Sequence, residues 1–230
     1  MPWDGVAYLA NEIIGFAGRE VAVGAMNIAT QRLMLREFEA GDIDAIYVYH
    51  ADPLYLRYYP WTSRTRDDVE ALIGRLVAWS QERPRSKFQL AVVLESDGAV
   101  IGNCGIRMEA AHGYEAELGC EINPRYWGLG YGTEAIQAML DYGFRKQSLD
   151  RVWAEMVADN TAAARLVEKA GMRKEKSLPQ HKWMKDRWWD TLVYGIHYTE
   201  WHPEAASYRP AADMRASSQV EKPQVSSVGC

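Results

Sequence analysis

A glycine-rich turn joins a strand-like segment to a helix-like one in the run Pro124-Arg125-Tyr126-Trp127-Gly128-Leu129-Gly130-Tyr131-Gly132-Thr133-Glu134-Ala135, and it constrains the fold more than any other stretch. At a helix N-terminus the first amide N–H groups have no intrahelical partner and the macrodipole adds partial positive charge, so backbone alone can hold a phosphate. Gly128, Gly130 and Gly132 remove side chains that would keep a bulky diphosphate from that backbone. The run lacks the lysine of a Walker loop, and its spacing is not that of a dinucleotide fingerprint.

The rest of the pattern is that of an ordinary α/β domain. Leu33 and Leu35 alternate with polar or flexible neighbours, which predicts a first strand. Asp42 is placed to cap a helix reaching about His50, and Val69, Leu72, Ile73 and Leu76 form a helical stripe across residues 66–81. Strands are expected over residues 89–94, 99–107 and 114–122, separated by turn residues at 96–98 and 112–113, so consecutive antiparallel pairing follows. A helix over 133–146, a strand over 152–157, a helix over 161–170 ended by Gly171, and strands near 174–185 and 189–198 complete the reading.

With 230 residues, the chain suits one domain with a full core. Hydrophobic residues make up 48% and charged residues 25%, with no apolar run near the roughly 20 residues of a membrane-spanning helix. No partner membrane is expected. The first residues lack the basic region of a secretory signal, and three cysteines without paired spacing suit a reducing compartment, so the expected location is cytoplasmic. A net charge of -5 speaks against nucleic acid and is compatible with a cationic acceptor. Residues 1–25 are expected to be an extension, 26–201 the domain, and 202–230, rich in Ala, Ser and Pro, a mobile tail.

Arg125, Gly128 and Gly130 spell Arg-x-x-Gly-x-Gly, and here the chain resembles the acyl-CoA-binding signature of the GNAT N-acyltransferase superfamily. A second block, Glu155 to Met172, looks like the superfamily's later strand, its Asn-led helix at Asn160 and the Lys-x-Gly helix end at Lys169 and Gly171. Thr30 to Arg36, Val100-Ile101-Gly102, and Trp188-Trp189-Asp190 through Glu200-Trp201 arrive in the same order, a set similar to the RimJ/RimL-type branch and covering roughly residues 26 to 201. The resemblance implies a GNAT fold of the α/β (α+β) class: a mixed, mostly antiparallel twisted sheet of about seven strands flanked by about four helices.

It also implies acetyl-CoA as acyl-donor cosubstrate and a primary amine, on a protein N-terminus or a small molecule, as acceptor. The branch does not choose between these. Under the resemblance, backbone amides from Tyr126 through Thr133, including Trp127, Gly128, Leu129, Gly130, Tyr131 and Gly132, hold the CoA diphosphate, with Arg125 adding charge. Ile122 marks where the family holds the pantetheine arm as an added strand. Asn160 either faces that arm or simply caps its helix, and both roles can coexist. The sheet is expected to splay between the strands ending near Ile122 and Val157.

Amide formation needs a neutral amine, which a carboxylate can supply directly or through water. Glu155 occupies the position at which ribosomal-protein acetyltransferases carry a catalytic Glu, and Glu121 on the facing strand is the second candidate; either can instead be a solvated or salt-bridged strand residue. The chain departs from the family at Ala163, where many members carry Ser, and at Val167, where many carry a general-acid Tyr. A thiol of pKa about 8.5 can leave without full protonation. If an acid is used, Tyr131 and Tyr142 are the remaining guesses. Another acyl donor such as succinyl-CoA, and a catalytically silent acyl-CoA-binding module, are the rival readings.

Tyr55, Tyr58, Tyr59 and Trp61 crowd the segment that in the family borders the acceptor, where they either pack the core or receive a cationic amine. Cys104 and Cys120 fall on neighbouring strands and read as buried hydrophobes before they read as acyl carriers. The five histidines show no metal-ligand spacing. The basic run over residues 173–187 reads as a solvated hairpin rather than an RNA surface. Monomer and homodimer are both open.

Overall fold

The computed structural model describes residues 26–109 and 113–202. The expectations for residues 1–25, for the tail beyond His202 and for a turn at His112 lie outside these. Leu33 and Leu35 are fully buried and their neighbours are not, so the alternation does make a strand, β2 (Leu33–Arg36). It pairs on one edge with the short β1 (Asn27–Ala29) and on the other with β3 (Lys87–Leu94). β4 (Val100–Arg107) and β5 (Glu115–Ile122) continue the antiparallel run, as expected from the turns between them. β6 (Arg151–Val157) then joins β5 in parallel, and the hairpin of β7 (Arg173–Met184) and β8 (Arg187–His197) closes the sheet through β8, giving the order β1-β2-β3-β4-β5-β6-β8-β7.

The sheet therefore has eight strands rather than about seven, because residues 27–29 add an edge strand too short for a periodic signal. Five α-helices stand where about four were expected; the extra one is the single turn α2 (Pro53–Leu56), started by Asp52, which caps Leu54 N at 2.8 Å. Asp42 does precede α1 (Ile43–His50), but its carboxylate caps nothing there. It instead holds Arg36 at 2.7 Å and accepts from Glu39 N at 2.9 Å. α3 (Arg66–Gln81) begins at a capping box between Thr65 and Asp68. α4 (Tyr131–Lys146) starts two residues before the expected Thr133, and α5 (Thr161–Lys169) ends at Gly171, whose φ of +98° is the left-handed stop that glycine makes cheaply.

Two apolar layers cover the two faces. α4 and α5 bury Ile136, Met139, Leu140 and Val167 against Leu90, Ile106, Leu118, Val152 and Ile196 on one face. On the other, Ile46, Tyr49, Leu56, Val69 and Ile73 from α1, α2 and α3 pack on Ala91 and Val93. That second layer covers β3 and β4 but gives way to polar side chains over β5 and β6.

Candidate active site

Parallel pairing between β5 and β6 runs only through Glu115↔Arg151, Ala116↔Val152 and Glu117↔Trp153. Beyond that point each strand keeps only its outer partner: β5 stays with β4 as far as Gly102↔Ile122, and β6 with β8 as far as Val157↔Thr191. The sheet thus opens in a seam with a free strand edge on each lip. Such edges present unpaired amide and carbonyl groups to whatever enters. Gly102 permits the β5 lip to bend this way, since a Cβ there would stand 2.1 Å from the Glu121 carbonyl oxygen.

The glycine turn lies at the foot of the β5 lip. Asn123 Oδ1 accepts from Arg125 N at 3.0 Å, and the Trp127 indole donates to the Ile122 carbonyl at 2.6 Å, tying turn to strand. Gly128 and Gly130 have φ of +77° and +84°, and Gly130 is the residue before the first helical turn. Glu134 N makes the bond to Gly130 O at 3.1 Å, so the amides of Tyr131, Gly132 and Thr133 precede the helical ladder and are open to an anion. Gly132 has a different task from the one expected of it: a Cβ there would meet Leu166 at 3.0 Å, so its lack of a side chain lets α4 pack on α5.

Glu134, which is 2% exposed, anchors this turn. Its carboxylate accepts from Thr30 Oγ1 at 2.6 Å, Arg32 N at 2.8 Å and Arg32 Nε at 2.7 Å. Arg32 in turn donates to the Leu129 carbonyl at 3.0 Å and lies 4.6 Å over the Tyr131 ring. The turn's shape is thereby fixed by one buried charge pair as well as by its glycines. Arg125, Trp127 and Leu129 remain exposed around it.

On the acceptor face of the lips stand Glu117, Glu121 and Glu155. Glu121 accepts from Tyr59 OH at 2.6 Å and Asn103 Nδ2 at 2.8 Å, and His50 Nε2 lies 3.4 Å away. Burial would raise this carboxyl, but His50, Tyr59 and Asn103 outweigh it and hold the pKa down at about 2. Glu155, 10% exposed, is instead 2.5 Å from Lys182 Nζ on β7, with His181 Nδ1 at 3.9 Å; the Lys182 contact pairs charge without hydrogen-bond geometry. The structure therefore places both candidate carboxylates on one face at the seam, with very different partners.

Tyr59 belongs to a stack that runs from His50 through Tyr55 and Tyr59 to Trp61, with centroid separations of 4.5, 4.7 and 5.2 Å. Burial pushes the Tyr59 phenol well above its usual range, and the Glu121 carboxylate adds to this, so it stays a donor. Tyr58 stands edge-on to Trp189 and donates to the Asp159 carbonyl at 3.0 Å. Trp61 lies under the Arg64 guanidinium, 4.7 Å away. Asn160 caps α5 through Oδ1, accepting from Ala163 N at 3.1 Å.

Val167 is buried in the α4–α5 layer. Tyr142 packs on Phe88 of β3, two strands from the seam, and Tyr131 sits at the turn under Arg32. Cys104 faces Cys120 across β4 and β5, and burial raises its thiol well above the usual range, which disfavours a nucleophilic thiolate. No cluster of three metal-ligating side chains occurs among the described residues, and no described helix is long and apolar enough to cross a membrane.

Sequence reading missed Asn103, His50, Lys182 and His181. Asn103 had a signal in its place beside Gly102, at the lip. The two β7 residues had none, for reasons of register taken up below.

An anion-binding turn feeding an open seam between parallel strands, with carboxylates on one lip, defines an acyl-CoA-dependent transferase. The family model for the acetyltransferase (GNAT) domain matches residues 32–173. The N-acetyltransferase YnaD of Bacillus subtilis is 33% identical over 182 residues, covering 77% of this chain and 100% of its own. A GNAT-family acetyltransferase from Bacillus anthracis superposes with a TM-score of 0.68 at 29% identity, covering 76% of this chain and 100% of its own. A spermidine N-acetyltransferase from Vibrio cholerae, solved with CoA and spermine, shares the fold at a TM-score of 0.63 and 21% identity, covering 73% and 96%.

The chain belongs to the GNAT acetyltransferase family. It is an N-acetyltransferase, and its cosubstrate is acetyl-CoA. The positive-φ glycines, the open first-turn amides and the free strand edges fit that molecule.

Proposed function

We propose that the chain transfers the acetyl group directly to a primary amine, that it does so in the manner of the RimJ/RimL branch, and that Glu155 is the base. The observation that carries this reading is the end of β5–β6 pairing at Glu117↔Trp153, which leaves Glu155 on an open lip. Acetyl-CoA supplies an activated thioester whose sulfur departs as the CoA thiol. The amides of residues 128–133, with Arg125 nearby, would hold its diphosphate, the β5 edge up to Ile122 would run along its arm, and Asn160 would present its Nδ2 donors to that arm.

Glu121 is the weaker base, because two donors and a facing imidazole stabilise its charged form. Its role is to hold Tyr59 and, through the stack, Trp61 in place beside the acceptor path. Glu155 has only ammonium and imidazole neighbours, and it can exchange one cation for another. The domain so defined spans residues 26–201.

Thiol release from acetyl-CoA against amino-terminal peptides, free amino acids, polyamines and aminoglycosides tests the reading, with succinyl-CoA as the alternative donor. Release with one acceptor class is expected. Binding of CoA with no release from either donor would point to a silent module.

A further inference from the structure

We infer that the acceptor is a small zwitterion, a primary amine carrying a carboxylate close by, and that the Lys182–Glu155 ion pair is the site that recognises it. This rests on the amine-acceptor reading above and narrows it. Each of the three carboxylates on the acceptor face already has a partner: Glu117 has Arg107 at 3.4 Å, Glu121 has Tyr59, Asn103 and His50, and Glu155 has Lys182 with His181 behind it. A polycation therefore meets no uncompensated charge among them. If a lone ammonium displaced Lys182 from Glu155, the lysine would be left in a part-buried site without a counter-ion, which is costly.

A zwitterion avoids that cost. Its ammonium takes the place of Lys182 on Glu155, and its carboxylate takes the place of Glu155 at Lys182, so every charge remains paired throughout. An internal ion pair with a 2.5 Å separation matches an α-amino acid, whose two charged groups are also adjacent. Lys182 is 25% exposed on the edge strand and Glu155 10% exposed on the lip, so a lysine on a flexible stem can move while a strand carboxylate stays.

The chain also goes out of its way to bring Lys182 here. β7 breaks register between Lys174 and Lys176 and again between Leu178 and Lys182. Lys174 consequently opposes Tyr194, on the α4–α5 face, whereas Lys182, eight positions later, opposes Trp189 on the acceptor face. Regular alternation would have put both on the same side.

The test compares kcat/KM for free α-amino acids with that for their C-terminal amides, with spermidine as the polycation. In parallel, the best free acid is titrated calorimetrically into the CoA-saturated enzyme. The free acid should exceed its amide by at least tenfold, about 1.4 kcal/mol, and should exceed spermidine. Lys182→Gln should collapse the acid-to-amide ratio towards one and weaken calorimetric binding of the acid at least tenfold, with Lys182→Arg restoring most of both. Amides used as well as acids, spermidine preferred, or a ratio unmoved by Lys182→Gln would overturn the zwitterion and leave the acetyltransferase reading intact. Acid binding that needs Lys182 without any thiol release would support the site and overturn that reading; no acid binding at all would overturn the site.

Discussion

The glycine turn and the acceptor face are built on opposite principles. At the turn, recognition comes from backbone: two positive-φ glycines and the first amides of α4, held by one buried carboxylate. Across the seam it comes from side chains, and each carboxylate is defined by what it meets. The contrast fits a donor that is the same for every member of a family and an acceptor that differs between them. A backbone site tolerates drift in sequence so long as its shape persists; a side-chain site changes its meaning with one substitution.

Removing the anchor tests whether the turn's shape depends on it. Glu134→Ala strands Thr30 and Arg32 and should cost about 3 kcal/mol of stability, a fall of roughly 10 °C in Tm, with weaker CoA binding. A Tm within 2 °C of the parent, roughly the shift from half a kcal/mol, would mean that the glycines suffice. On the acceptor side, Glu121 offers a pH signature. Its folded pKa of about 2 lies below the unfolded value, so its stabilisation is fully present above the unfolded pKa and is lost as pH falls towards 2. The parent should therefore lose about 2 to 3 kcal/mol more than Glu121→Gln between pH 5 and pH 2, measured by denaturant melts. Parallel pH profiles would remove the Glu121 network from the account. The smallest effect is at Gly130, where a Cβ meets only Arg32 Nη2 at 3.3 Å but φ is +84°. Gly130→Ala should cost about 1 kcal/mol from the backbone alone, with CoA affinity falling by severalfold; an unchanged melt would show that the turn can relax.

The same contrast explains what could be read from the chain. The donor half was legible because glycine spacing and a helix start are local features: Gly128, Gly130 and the strand–turn–helix order appear where expected. Helix α3 and the antiparallel run β3 to β5 were equally local. Asp42 shows the limit of that reading, since its position matched a cap but Arg36, six residues earlier, claimed its carboxylate. The partners of Glu155 were out of reach because the irregularities in β7 reverse the facing of Lys182 relative to Lys174, and alternation carries no mark of them. Glu121 likewise depends on Tyr59, 62 positions away, and on a helix end at His50.

The most direct test is a paired measurement on Glu155→Gln: the rate of thiol release from acetyl-CoA with its best amine, and the affinity for CoA by calorimetry. If donor and acceptor halves are separate constructions, the rate falls about 100-fold while CoA affinity stays within twofold of the parent. A rate that is unchanged, or a CoA affinity that falls in step with it, would contradict the division on which the account rests.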